Sequence, residues 1–217
     1  IAFAFAALSN AFGMVPPFYD LMTWLAVSTG IRSEIVLLAL VFGVLNLALP
    51  AAAGLSAATI SRALAGKPEP LRVTFSRFAP AFIPLAVALW LAHYAFHFLT
   101  GALAIIPVLQ TFLLDHGILQ TFLLDHGIAI LGAEPNWRLG GIIPGDWILP
   151  LQTVMVLAGF AGSLYVGNRV GRRDLASRPV AARALLPWLI LFAGMAVAGL
   201  ATFNLPMEMR GTMLMGG

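Results

Sequence analysis

The chain has 217 residues, of which 60% are hydrophobic and 10% charged, with a mean hydropathy of +0.94; a soluble domain of this composition would expose large apolar patches, so that class is excluded. A sequence pI near 10 rests on a net charge of only +3, and the basic residues are gathered in two short connections between apolar runs, which is a positive-inside pattern and not a nucleic-acid footprint. The lack of cysteine excludes disulfides, thiolate zinc sites and any iron–sulfur cluster ligated from within these residues.

A membrane span needs about 20 predominantly apolar residues. The first apolar run, residues 1–15, opens in mid-stretch on Ile1. It reads as the end of a span belonging to a longer polypeptide, and without a basic n-region or a small-residue cleavage site no signal peptide is expected. Pro16 and Pro17 are expected to close it, since the second lacks an N–H and the first is pushed out of the helical region. Residues 18–32 carry Tyr19, Asp20, Trp24 and Ser28 among apolar neighbours and read as an interfacial or re-entrant helix. Four further runs reach spanning length: 35–61, 78–100, 147–168 and 184–205. The fold class is therefore all-α, a polytopic transmembrane bundle of about five spans with interfacial or re-entrant helices, forming one membrane domain.

The connection 62–77 holds Arg62, Lys67, Arg72 and Arg77 against Glu69, and 169–183 holds five arginines against Asp174. Both belong on the cytoplasmic side. The segment 101–146 carries Asp115, Asp125, Glu134 and Asp146 against Arg138, with Trp137 and Trp147 beside it, and belongs on the other face. Alternation then leaves the missing N-terminal part cytoplasmic and the C-terminus outside a bacterial inner membrane. Within 101–146 the decapeptide LQTFLLDHGI at 109–118 recurs unchanged at 119–128, an in-frame duplication or a sequence error. Ten residues turn a helix by about 1000°, about 80° short of three turns, so in one continuous helix the copies would face different ways. A re-entrant pair of short helices or an amphipathic surface helix suits them better, because Asp115-His116-Gly117 and Asp125-His126-Gly127 look like glycine-capped helix ends.

The candidate sites follow from side chains that hydrocarbon does not tolerate without partners. His93 and His97 lie four residues apart on one helix face in the uncharged stretch between Arg77 and Asp115. That spacing lets both imidazoles approach one metal ion but cannot place them on opposite faces of one haem. They are candidates for binding haem, a pigment, a metal or a quinone, against the structural alternative of hydrogen bonds to backbone, Tyr94, Thr100 or Gln152. His116 and His126, each beside an aspartate, are candidate metal or proton sites or members of a polar surface loop. Met207 and Met209 open a methionine-rich tail whose thioethers suit Cu(I) or serve as apolar filler. Asn46 and Gln152 are intramembrane amides expected to fasten helices, and Ala158/Gly162, Gly159/Ser163 and the Gly194, Ala198, Ala201 series are expected at close helix contacts. Residues 140–145 are a turn, lacking the lysine and helix of a phosphate loop. No Ser/His/Asp array, HExxH or paired-carboxylate motif is present, which disfavours a hydrolase.

The strings LAHYAFHFLTG at 91–101, IPVLQTFLLDHG at 106–117, PLQTVMVLAGFAGSLYVGNRVGRR from Pro150 and FNLPMEMRGT at 203–212 resemble the membrane region of bacterial integral-membrane 4Fe-4S ferredoxin-type electron-transfer proteins. The resemblance implies a membrane anchor that relays electrons between a cytoplasmic donor and quinone or a partner complex. In that family the clusters sit on cysteine motifs, so a 4Fe-4S cluster here would belong to a preceding N-terminal portion. The expected function is thus a subunit of an electron-transfer or energy-converting complex, with the lipid bilayer and other membrane subunits as partners and no nucleic acid. The alternatives are a non-catalytic assembly or scaffold subunit binding partner helices, lipid or pigment and, less favoured for want of intramembrane carboxylates, a transporter.

Overall fold

The computed structural model describes residues 1–115, 140–175 and 177–207. Among them every regular element is helical. Helix α1 (Ala2–Phe12) is followed by α2 (Pro16–Thr29), and α3 (Glu34–Gly43) continues through a π turn (Val44–Ala48) into α4 (Leu49–Ala65). Helix α5 (Leu71–Phe78) passes through a 3₁₀ turn (Ala79–Ala81) into α6 (Phe82–Gly101), and α7 (Ile105–Asp115), α8 (Ile148–Asp174) and α9 (Arg178–Phe203) complete the set.

Four helical stretches are long and apolar enough to cross a membrane: Glu34–Ala65, Leu71–Leu113, Gly145–Asp174 and Arg178–Phe203. The chain is a multi-pass membrane protein built as a helical bundle. The first apolar run forms only the 11-residue α1, about 16 Å long at 1.5 Å per residue and shorter than the hydrocarbon core. The two prolines do not terminate it. α1 stops at Phe12, and Pro16 and Pro17 occupy the first turn of α2, where a missing N–H costs nothing because no intrahelical acceptor exists for it. The basic connections are also shorter than the charge pattern suggests, because helix runs through Arg72 and Arg77 in α5 and through Arg169, Arg172 and Arg173 in α8. Arginine is a good helix former, so hydropathy marks where the hydrocarbon ends and not where the helix does.

Two compact units divide the chain: Ile1–His93 with Gln152–Gly217, and Tyr94–Leu151. In the first, α4 packs most extensively on α9, and α1 lies against the π turn and α9. Helix α2 buries Phe18 and Met22 against Leu37 and Val41 of α3, with Phe12 and Phe42 closing on Phe18 at 5.6 Å between ring centroids. Its opposite side leaves Trp24 and Val27 exposed. A third cluster centres on Trp188, which stacks on Phe78 and meets Phe75 and Phe82 edge-on.

The π turn and a proline in α9 show how the spans tolerate broken backbone ladders. Pro50 lacks the N–H that an α-helix would bring to Asn46, and just upstream the ladder has slipped to an i to i+5 bond from Leu49 N–H to Val44 O, the signature of a π bulge. Pro187 lies inside α9 and leaves the carbonyl of Arg183 without its usual donor. The neighbouring carbonyl of Ala184 accepts the buried Ser61 hydroxyl at 2.7 Å, an interhelical bond one residue from the freed carbonyl.

The two basic connections meet at one end of the first unit. Arg77 forms a two-pronged pair with Glu69, its Nη2 donating to Oε2 at 2.8 Å, and its Nε donates to Asp174 at 3.3 Å. Thr74 donates to Glu69 at 2.6 Å, and Lys67 donates to the Asp174 carbonyl at 3.1 Å. Gly66 allows the chain to turn here, closing α4 in the left-handed conformation with φ 65°. The hydrogen bond from Arg77 holds the Glu69 carboxyl down at about 2, below its usual 4.5. A depressed carboxylate pKa contributes stability that is complete above the unfolded value and lost as pH falls through the folded one. The melting midpoint of the detergent-solubilised protein is therefore expected to exceed that of Glu69→Gln by a constant margin above about pH 4.5, a margin that disappears near pH 2. A margin independent of pH would refute the assignment.

Candidate intramembrane site

The site is built on the pairing of α6 with α8. Helix α8 presents Gly159, Ser163, Gly167 and Gly171 at four-residue intervals, all buried; at Gly159 the stripe lets α6 approach to backbone contact, and at Gly167 and Gly171 it faces Leu185 and Ala181 of α9. A β-carbon on Gly159 would overlap the Ala88 side chain and lie 2.9 Å from the Pro84 carbonyl oxygen, and one on Gly162 would lie 2.8 Å from Pro84 Cβ. Of the small pairs anticipated from sequence, Gly159/Ser163 is the contact, whereas Ala158 is exposed. In α9 the close approach is made at Gly199, against Leu89. Gly194 has nothing within 4 Å of a built β-carbon, and Ala201 is exposed. The four-residue small series in α9 was visible, but the face turned inward is one position away from it.

Two buried hydrogen bonds fix the α6–α8 register. The Leu85 N–H, in the first turn of α6 and directly after Pro84, donates to Ser163 Oγ at 3.1 Å. About two turns further along, Gln152 Nε2 donates to the Ala92 carbonyl at 3.1 Å. Gln152 thus fastens helices as expected, and so does Asn46, whose Oδ1 accepts the Ser9 hydroxyl of α1 at 2.7 Å. The Ser163 bond was not read from sequence. Its signal is a serine inside a glycine stripe together with a proline, Pro84, that opens the facing helix.

His93 follows Ala92 on α6, one turn beyond Leu89, and is 2% exposed. Among the described residues it is the one ionisable side chain that is buried. His97 lies on the same helix but in the second unit, half-buried, with Phe96 edge-on at 5.2 Å and Tyr94 at 6.3 Å between centroids. In that unit backbone bonds run from Ile142 N–H to Leu99 O of α6 at 2.8 Å and from Leu103 N–H, just past α6, to Gly140 O at 3.1 Å.

Of the remaining sequence candidates, His116, His126 and Met209 lie outside the described residues, as does most of the tandem decapeptide. Met207 follows the end of α9 at intermediate burial. Among the described residues no group of three or more His, Asp or Glu side chains is placed to hold a metal ion. The chain's residues do not fit an iron–sulfur cluster, since none of the 217 is cysteine, and the shared helix face of His93 and His97 does not fit bis-histidine haem. An imidazole inside an apolar helix pair fits donation to a carbonyl or proton exchange.

An apolar groove of about 480 Å³ runs between α1, α4 and α9, lined by Phe5, Ala53, Ile60, Pro187, Gly194 and Ala198 among others. Ser56 is its one hydroxyl. Comparison with known proteins gives no match to this chain, whether to a family model, a curated protein or a solved structure.

Proposed function

We propose that this chain is a membrane-embedded subunit of a bacterial electron-transfer or energy-converting complex, anchoring it and relaying electrons or protons toward quinone or a partner subunit. The observation that carries the reading is His93: burying an imidazole in a membrane span is unfavourable unless the group has work to do or a partner to satisfy it. Ser163 and Gln152 are already committed to holding α6 on α8, which supports a fixed register for the helix that carries the imidazole. Any iron–sulfur cluster belongs to another polypeptide segment or subunit. In this reading the two basic connections face the cytoplasm.

A second reading, an assembly or scaffold subunit, is favoured by one specific observation. The hydroxyls of Ser9, Ser61 and Ser163 and the amides of Asn46 and Gln152 all fasten helices, and the groove along α1, α4 and α9 offers apolar surface to a lipid chain or a partner helix.

His93→Ala and His97→Ala, singly and together, separate the two. In membranes containing the assembled complex, the redox difference spectrum and quinone-reduction rate are expected to fall at least tenfold in the double variant while the amount of complex stays constant. Normal turnover and cofactor content with a loss of assembled complex would replace the electron-transfer reading with the scaffold.

A further inference from the structure

The basic end of the first unit carries nine of the chain's twelve lysines and arginines against two carboxylates. Both carboxylates are engaged: Glu69 by Arg77 and Thr74, Asp174 by Arg77 Nε at 3.3 Å and by Arg173 at 3.8 Å. Seven of the nine cations have no carboxylate partner among the described residues. The charge therefore is not neutralised among the described residues, and it gathers where membrane-crossing helices end, the depth at which lipid phosphates lie.

One place in this belt is shaped. A cleft of about 450 Å³ opens between α5 and the end of α8, lined by Arg72, Val73, Ser76, Arg77 and Asp174. The guanidinium of Arg72 and the hydroxyl of Ser76 are four residues apart on the exposed face of α5, on the same side of the helix, and neither is hydrogen-bonded within the described residues. Arg77 is directed at the two carboxylates, so Asp174 lines the cleft as a paired group and the local excess of charge is positive. We propose that this cleft holds the phosphate of an anionic phospholipid headgroup, with Arg72 and Ser76 as donors. A planar guanidinium with a free fork is suited to phosphate, exposed Val73 beside it suits the glycerol end, and the direct passage of α5 into the membrane-crossing α6 keeps the cleft at the bilayer surface. This inference is independent of the electron-transfer reading.

Native mass spectrometry of the full-length protein in detergent tests it, with dioleoyl phosphatidylglycerol, phosphatidylethanolamine or phosphatidylcholine added at equal concentration. Phosphatidylglycerol is expected to be retained in preference to both zwitterionic lipids. Arg72→Gln is expected to lower its retention about fivefold, the effect of one cation at a lipid surface, while Arg72→Lys keeps most of it and Arg178→Gln, outside the cleft, changes little. Arg72 is exposed and makes no ion pair among the described residues, so the variants are expected to elute and melt as wild type. Equal retention of the three lipids, no change in Arg72→Gln, or an equal loss in Arg178→Gln would overturn the cleft as a headgroup site. Displacement of phosphatidylglycerol by millimolar inorganic phosphate would reassign it to a soluble anion.

Discussion

Gly159→Ala is expected to be the most damaging single-methyl change in the protein. The added carbon would overlap the Ala88 side chain while lying 2.9 Å from the Pro84 carbonyl and 3.1 Å from Leu85 Cα. Two of these three obstacles are backbone, which cannot rotate aside, so α6 and α8 must separate. Overpacking of a core ordinarily costs about 1–3 kcal/mol, and separation here also stretches the Leu85–Ser163 and Gln152–Ala92 bonds, each of which leaves a buried polar group worth about 1–3 kcal/mol when unsatisfied. The unfolding midpoint in detergent, or reversible unfolding in bicelles, should show a loss toward the upper end of those ranges. Gly194→Ala, where a β-carbon meets nothing within 4 Å, is the control and should be neutral. Equal behaviour of the two variants would mean that the helix pair is not packed through the stripe.

Trp188 gives the second large effect, and its sign depends on the replacement. The indole is fully buried, its ring 5.4 Å from Phe78 and 6.0 Å from Phe82 between centroids. Trp188→Ala empties that volume and is expected to cost about 3–5 kcal/mol, as large-to-small changes at buried aromatics do. Yet the indole Nε1–H is buried with no hydrogen-bond acceptor among the described residues, and an unsatisfied donor is itself a cost of about 1–3 kcal/mol. Trp188→Phe keeps a ring in the cluster and removes the donor, so its stability is expected to fall within about 1 kcal/mol of wild type or above it. A loss as large as that of the alanine variant would show that the indole N–H is bonded after all.

Much of the architecture could be read from where the charges stop. Residues 35–61, 78–100, 147–168 and 184–205 each fall within a long helix or nearly so, because hydrocarbon forces every backbone group to find a partner within its own segment. Residues 1–15 yield only a short helix, since apolarity alone does not say where Gly13 and Met14 will turn the chain. Pro16 misled, since it begins a helix where an N-terminal position needs no N–H, whereas Pro187 sits inside the helix that the apolar run 184–205 already drew through it, the carbonyl it frees one residue from the Ala184 carbonyl that Ser61 of α4 reaches. No local pattern announces such a partner, since it comes from a residue 123 positions away. The candidate site was legible in part. His93 stood out as an imidazole in an uncharged run, but that it is buried while His97 is half-buried depends on what covers α6, and Ser163 became visible as a partner only once α8 was seen to lie against Leu85.

The stripe on α8 also bears on how the protein comes together. Glycine and alanine have no rotamers to freeze, so the contact between Gly159 and Ala88 forms without side-chain entropy loss, whereas ordering long side chains costs up to about 2 kcal/mol apiece. In lipid there is little hydrophobic drive to offset such losses once the helices are inserted. Surfaces that associate without ordering anything have the advantage, and α6 with α8 is therefore expected to be an early pairing on which slower-packing aromatic neighbours later settle.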